Sequence, residues 1–583
     1  MKSGNKKSRA ENLHTLKWIS TAAGKTKYFV LFKTIQESAM ALLSVVDAFL
    51  MRALVNAATG KDWSGFRVSL IWLISLTLFT IIFNLVMRYL GKYMDLTVNN
   101  RFRKRVFSVL FTKDYSQISR VHSGEWMHRI NSDVKNVTDT MTGLMPQVVS
   151  TFVRLISVAV SIIVLEPKVL LLVLPGAVII VGTSVLMRNR YKRMHREAQE
   201  AAGRTRVFMT ERLASQLIIR TFGKEERTAE DAEGLMEESK RVQLRNTRFS
   251  CYASGGMQII MQGMYYLGLA FCGIRILQGT MTYGDLTAIL QLVSQVRAPL
   301  SNISGFVPSF YGMLASAERL MEIEAFADDA PNRRGEEEIS RYYESSFRAI
   351  ELKNVDFTYM PPTREDADGQ KKAPAMPVVL KGLNLTVSKG EYIAFRGQSG
   401  CGKSTVLKVM MCLYPVDSGE RLIRGEDGER PLDPSWRGLY AYVPQGNQLL
   451  YGTIRQVLTF GEPEDAGREE ELWKALRVAC AEDFVSALDK GLDTPLGEHG
   501  AGLSEGQMQR LAIARAVFSS HPVLMLDECT SSLDEQTEEQ LLHNLRSMTD
   551  KTVILVTHRP AALRIADRVI DFGPGEEARK TAE

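Results

Sequence analysis

Cysteine is scarce: six in 583 residues (Cys251, Cys272, Cys401, Cys412, Cys480 and Cys529), none at C-x-x-C or other metal-like spacing. A disulfide scaffold and a cysteine-held metal are excluded, and the six read as reduced thiols facing cytosol or lipid. No cleavable signal is expected either. The basic start (Lys2, Lys6, Lys7, Arg9) runs into Leu13, Leu16, Trp18 and Ile19 among polar neighbours, without a clean apolar core or a small-residue cleavage site. Residues of about 10–24 read instead as an amphipathic helix at a membrane surface. The net charge is only +6, and no nucleic-acid partner is expected. The absence that matters most is of charge itself, in four runs: 68–87, 169–187, 251–274 and 298–317.

A helix crosses the hydrocarbon core in about 20 residues. Two weaker runs, one holding Lys33, Glu37 and Asp47 and one holding Arg154, bring the expected spans to six: about 28–57, 68–90, 141–165, 169–187, 251–274 and 286–317. Charges at such depth must face protein or a water-filled interior. Lys33, Glu37, Asp47, Arg154, Gln291, Gln295, Arg297 and Asn302 are therefore candidates for lining a polar cavity. Met257, Met261 and Met264 recur at helical spacing; that suits a soft apolar binding surface, and equally plain helix packing. Base crowds the loops 91–135 and 188–248, so these loops, and with them both termini, are placed in the cytosol. Their helical pattern predicts rods that continue beyond the bilayer.

Residues 327–346 read as a polar linker, and strand and helix patterns alternate over 347–583. Within that half, Gly397-Gln398-Ser399-Gly400-Cys401-Gly402-Lys403-Ser404 matches G-x-x-x-x-G-K-[ST], after a strand-like run and before an amphipathic helix that starts at Thr405. The glycines permit a tight turn whose N–H groups can point at a triphosphate, beside the positive end of the helix. Lys403 suits the β- and γ-phosphates, and Ser404 suits Mg²⁺. The apolar run 523–526 ends in Asp527, suited to Mg²⁺, and Glu528, suited to polarising the attacking water as general base. His558 follows another strand and can hold the γ-phosphate and that water; Gln445 can sense Mg²⁺ and water.

Leu503-Ser504-Glu505-Gly506-Gln507, followed by Gln509-Arg510-Leu511-Ala512, resembles the signature of the ATP-binding cassette (ABC) family. The order P-loop, Gln445, signature, Asp527-Glu528, Ser531-Ser532-Leu533-Asp534, His558 is that family's order over about 235 residues. Asp114-Tyr115, Arg220-Thr221-Phe222-Gly223 and Thr282-Tyr283-Gly284-Asp285 resemble the membrane half of its bacterial exporters, of the lipid-flippase and multidrug type. Glu505 departs from the usual glycine, and the loop 360–377 is longer than usual.

The resemblance implies that Tyr359 stacks on adenine, that Ser504 and Gly506, with Gln507 beside them, meet the γ-phosphate, and that Asp534 belongs to the loop linking two nucleotide sites. It implies Gly497-Glu498 as a segment that reads a cytosolic loop tip. The predicted fold is a membrane α-helical bundle of six transmembrane helices with long cytosolic extensions (1–326), plus an α/β P-loop nucleotide-binding domain with a largely parallel central sheet (347–583). The predicted activity is ATP hydrolysis, with ATP and Mg²⁺, driving export of an amphipathic peptide, lipid or drug across the cytoplasmic membrane. A second copy of the chain is the expected partner. The alternatives are a related half-transporter as partner, or a non-transporting ATP-gated sensor or channel.

Overall fold

The computed structural model describes residues 2–121, 123–329, 334–360, 376–446, 449–462, 467–497 and 502–573. The long loop after Met360 and Glu498 lie outside the described residues, as do the side chains of Arg297 and Asn302. The chain forms two compact units, one of residues up to Phe107 plus Met127–Glu322, the other of Ser108–Trp126 plus Ile323–Glu583.

The first unit is wholly helical. Four described helices are long and apolar enough to cross a membrane: Glu11–Thr59, Trp63–Leu110, Ser123–Leu165 and Glu225–Leu277. The expected spans 169–187 and 286–317 fall in Pro167–Ala214 and Tyr283–Ala325, several of whose side chains lie outside the described residues. Helix Trp63–Leu110 buries nothing in its most apolar stretch, where Ile71, Leu78 and Leu85 are exposed, as a lipid-facing surface requires. The N-terminal helix Lys2–Ala23, expected at the membrane surface, buries Ile19, Ala22 and Ala23, and Trp18 meets Phe102 edge-on at 6.3 Å.

Val45, Val158, Ile162, Met264 and Leu292 form the unit's apolar core, joined by Met257 and Met261. These methionines therefore pack helices together. A polar seam runs along Lys27–Thr59 against Tyr283–Ala325. Gln295 donates to the Ser44 carbonyl at 2.8 Å, Gln291 to Asp47 at 2.6 Å and Arg52 to Asp285 at 2.5 Å, and the Gly284 N–H reaches Asn56 at 2.9 Å. The rod Ser123–Leu165 contains two π-helical turns, Arg129–Asp133 and Thr140–Leu144. In the first, buried Asp133 takes both arms of Arg319, at 2.9 and 2.5 Å.

In the second unit, five parallel strands lie in the order β11 (Arg568–Phe572), β3 (Tyr392–Gly397), β10 (Thr552–Val556), β9 (Val523–Asp527), β6 (Tyr440–Val443). An antiparallel sheet, β2 (Val378–Ser388), β1 (Phe347–Thr358), β4 (Ser418–Gly425), β5 (Gly428–Pro431), packs beside it, and two short strands, β7 (Gly452–Thr453) and β8 (Pro495–Leu496), pair with each other. Alternation along the parallel strands fills two cores. Ile393, Phe395, Met525 and Ile554 face one, and Ala394, Leu524, Leu526 and Leu555 the other.

Two boundaries differ from expectation. The polar linker 327–346 holds a helix, Glu336–Ser345, whose Ile339 and Tyr343, four residues apart, bury in the second unit's core. The segment Ser108–Trp126, expected with the membrane domain 1–326, belongs to the second compact unit.

The linker helix is bonded to the chain neighbour of a half-buried histidine, His521. Ser520 donates to Glu336 at 3.0 Å, and beside it burial holds the His521 imidazole below its ordinary pKa, the Glu336 charge opposing and the Lys551 charge adding. The unfolded chain takes that proton near 6.5, while the folded chain resists it, so stability falls as pH drops through about 6.5. His521→Gln is expected to flatten the loss of the full chain's thermal midpoint between about pH 6.5 and 5.5. Parallel curves for the two proteins would show that the ring charges freely in the fold.

Candidate nucleotide site

Neighbouring parallel strands deliver the predicted residues to one edge of the sheet. The P-loop leaves the carboxyl end of β3. Asp527 closes β9 with Glu528 next, His558 follows β10 by two residues and Gln445 follows β6 by two. The crevice outside the carboxyl ends of such strands is where open α/β sheets bind ligands.

Gly397 and Gly402 carry φ of +153° and +103°, and a Cβ on Gly397 would stand 2.3 Å from the Phe572 carbonyl oxygen. Lys403 is buried, its ammonium donating to the carbonyls of Gly397 (2.6 Å) and Gln398 (3.0 Å), while Gln398, Ser399 and Gly400 stay exposed and Cys401 half-buried. Thr405, the next residue but one, shares a 3.0 Å hydrogen bond with the Tyr359 hydroxyl. Tyr359 is thereby fixed to the P-loop helix Lys403–Met410, edge-on to Phe357 and Tyr414.

Ser404 donates to Asp527 at 3.1 Å, and Tyr442 donates to its other oxygen at 3.2 Å. Burial pushes the Asp527 carboxyl up, against those two hydrogen bonds. A hard cation would relieve that cost, and a hydroxyl beside a carboxylate is an oxygen donor set of the kind Mg²⁺ accepts. The residues present fit the ion. Next along the chain, Glu528 accepts from the Gln445 amide at 2.7 Å and lies 3.6 Å from His558 Nε2. Its backbone is left-handed, φ +51°, pinned by its N–H to the Val556 carbonyl at 3.0 Å. A non-glycine residue held there stores strain of about 1–3 kcal/mol, as functional sites often do.

A second cluster forms around the helix Glu505–Phe518. Ser504 is its N-cap in a capping box: the Gln507 N–H donates to the Ser504 hydroxyl at 3.2 Å, and the Ser504 N–H to the Gln507 amide oxygen at 2.9 Å. Gln507, expected at the nucleotide, has its side-chain oxygen committed to that cap. Gly506 lies so close to the Ser532 carbonyl that a Cβ would approach it to 2.9 Å. Asp534 caps the helix Glu535–Arg546 through the Thr537 N–H at 2.9 Å, and that bond holds its carboxyl below the usual range.

Three residues given no role of their own from the sequence organise these clusters. Gln509, buried in the signature helix, donates to the Ser531 and Ser532 hydroxyls at 3.1 and 3.2 Å and accepts the Ser532 N–H at 3.1 Å. Arg559 holds the same loop from the other side, reaching the carbonyls of Ser531 (2.6 Å) and Leu533 (2.9 Å) and buried Glu538 (2.9 Å). Tyr442 is the third, through Asp527. Only the capping box was readable locally, as S-x-x-Q ahead of an apolar run.

Comparison with known proteins agrees with this geometry. The ABC transporter transmembrane region family matches residues 28–300, and the ABC transporter family matches residues 380–531. ABC transporter B family member 1 of Dictyostelium discoideum is 29% identical over 82% of this chain, which spans only half of that protein's length. The ATP-dependent lipid A-core flippase of Escherichia coli K12 is 26% identical over 91% of this chain and 89% of its own. A bacterial Atm1-family ABC exporter with ATP bound shares the fold, with a TM-score of 0.74, 94% coverage of both chains and 21% identity. The chain belongs to the ABC transporter family, with the family's transmembrane region (28–300) and its ABC transporter domain (380–531) fused in one polypeptide.

Proposed function

We propose that two copies of this chain form a homodimeric exporter of the cytoplasmic membrane, with its nucleotide-binding domains (347–583) and both termini in the cytosol. The observation that carries this reading is a complete hydrolytic set on one chain. Glu528 stands between Gln445 and His558, next to Asp527 and Ser404. A copy with no missing part needs no different subunit to supply one, and C₂ is the simplest closed assembly.

Ser404, Asp527 and Gln445 would hold Mg²⁺, which neutralises phosphate charge when bound. Lys403 and the P-loop N–H groups hold the triphosphate, and Tyr359 offers its ring to the base. Glu528 takes the proton of the attacking water while His558 positions that water. Ser504 and Gly506 of one copy close on the γ-phosphate bound to the other, with Asp534 at the seam. ATP bound twice would favour the closed pair; near-complete switching needs about 5.5 kcal/mol of differential binding. The polar seam inside the membrane unit, with Asp47 bonded to Gln291, and Glu37 bonded to Ser150 at 3.3 Å, suits an amphipathic peptide, lipid or drug as cargo.

The test is the chain alone in lipid nanodiscs. Two copies per disc and ATP turnover without any other subunit are expected. A single inert copy that turns over only beside a related half-transporter would sink the homodimer.

A further inference from the structure

The P-loop helix Lys403–Met410 has a phosphate end, at Lys403 and Ser404, and a far end held by two arginines, of which Arg421 donates to the Val409 carbonyl at 3.1 Å and the Tyr414 carbonyl at 3.0 Å. Past its last turn, Arg437 donates to the carbonyls of Met411 at 2.9 Å and Cys412 at 2.5 Å. Met411 is the helix's C-cap and Cys412 the residue after it, so no following turn supplies these carbonyls a donor. The same guanidinium closes as a fork on Asp329, with Nη2 2.9 Å from Oδ1 and Nη1 on the other oxygen. Asp329 is four residues beyond the end of helix Tyr283–Ala325, and its side chain is 10% exposed.

Around Asp329 the chain is stitched to a second exit. The Asp329 N–H donates to the Thr112 carbonyl and the Asp114 N–H to the Ala327 carbonyl, both at 2.9 Å. Lys113 pairs with Asp328 at 2.7 Å. Thr112–Asp114 directly follows helix Trp63–Leu110. Tyr414, two residues past Cys412, packs edge-on against Tyr115 at 5.7 Å. The segments leaving two long helices are thus tied to each other and to the far end of the helix that holds the phosphates.

We infer that Arg437 is a positioning residue that couples nucleotide to membrane helices, acting through Asp329. The P-loop helix is a rigid body about 12 Å long. Displacing its phosphate end displaces its far end, and a bidentate fork transmits orientation as well as distance. The inference rests on the ATP-driven transport reading, and is independent of whether the partner is a second copy.

The test uses the full chain in nanodiscs, with hydrogen exchange of peptides from 283–325 and from the P-loop, with and without ATP and vanadate. In Asp329→Asn, ATP turnover should stay within about twofold of wild type, while the nucleotide-induced exchange change in 283–325 falls about fivefold or more, the lower end of ordinary coupling between sites. The P-loop response should persist, and Asp329→Glu should recover part of the loss. A wild-type-like response of 283–325 in Asp329→Asn overturns the inference. So does a parallel fall of turnover, P-loop response and helix response, which marks a merely structural contact. A wild-type chain that turns over no ATP, either alone or beside a related half-transporter, overturns the transporter reading itself, and this inference with it.

Discussion

Glu528→Gln should bind ATP as the wild type does and hydrolyse it about 10² to 10⁴ times more slowly. The substitution keeps the side chain's shape, so the Gln445 contact at 2.7 Å and the left-handed backbone at φ +51° have no steric reason to change. What disappears is a site that can accept the proton of the attacking water. The neighbouring His558 lies 3.6 Å from that carboxylate, and in the proposed mechanism it orients the water while Glu528 takes the proton. Phosphate release and binding of a fluorescent ATP analogue, measured on the same preparation, separate the two effects. Turnover within about threefold of wild type, with binding intact, would mean that the base lies elsewhere.

Arg559→Ala should lower stability by about 3 kcal/mol, because it strips the partner from a buried carboxylate. Glu538 has a side chain only 4% exposed, and Arg559 is the cation facing it at 2.9 Å. The same truncation frees the carbonyls of Ser531 and Leu533, leaving the loop held from the Gln509 side alone. ATP turnover should therefore drop along with the thermal midpoint of the full chain. Arg559→Lys should recover part of the midpoint and little of the turnover, since an ammonium restores the charge without the planar fork. A midpoint unmoved by Arg559→Ala would show that water reaches Glu538 and that the loop stands unaided.

The reach of the sequence follows how local each signal is. The P-loop, the signature and the Asp527-Glu528 strand end are contiguous strings in which spacing and chemistry coincide, and their family now rests on independent matches. Arg559 and Gln509 act on a loop more than twenty residues away, so only the fold shows that they share it. Tyr442 looked like one more strand residue until β6 was paired beside β9 and its hydroxyl met Asp527. The helix Glu336–Ser345 was hidden by its run of three glutamates, which sit in its first turn, where the helix dipole welcomes them. The segment Ser108–Trp126 carried the charge pattern of a membrane loop, and nothing in that pattern says which unit it packs with.

The two π-helical turns of the rod Ser123–Leu165 have a consequence for how that rod can be altered. A π-turn is an α-helix with a single extra residue let in. One residue is about 100° of rotation. Removing one position from Arg129–Asp133 would restore plain α geometry, and would also swing every side chain on one side of the cut by that angle relative to the other. Asp133 could then face Arg319, or Ser150 and Val158 could keep their burial, but not both. The rod's length is therefore an index setting for two different neighbours, and a one-codon deletion there would perturb the helix more deeply than any substitution at the same place.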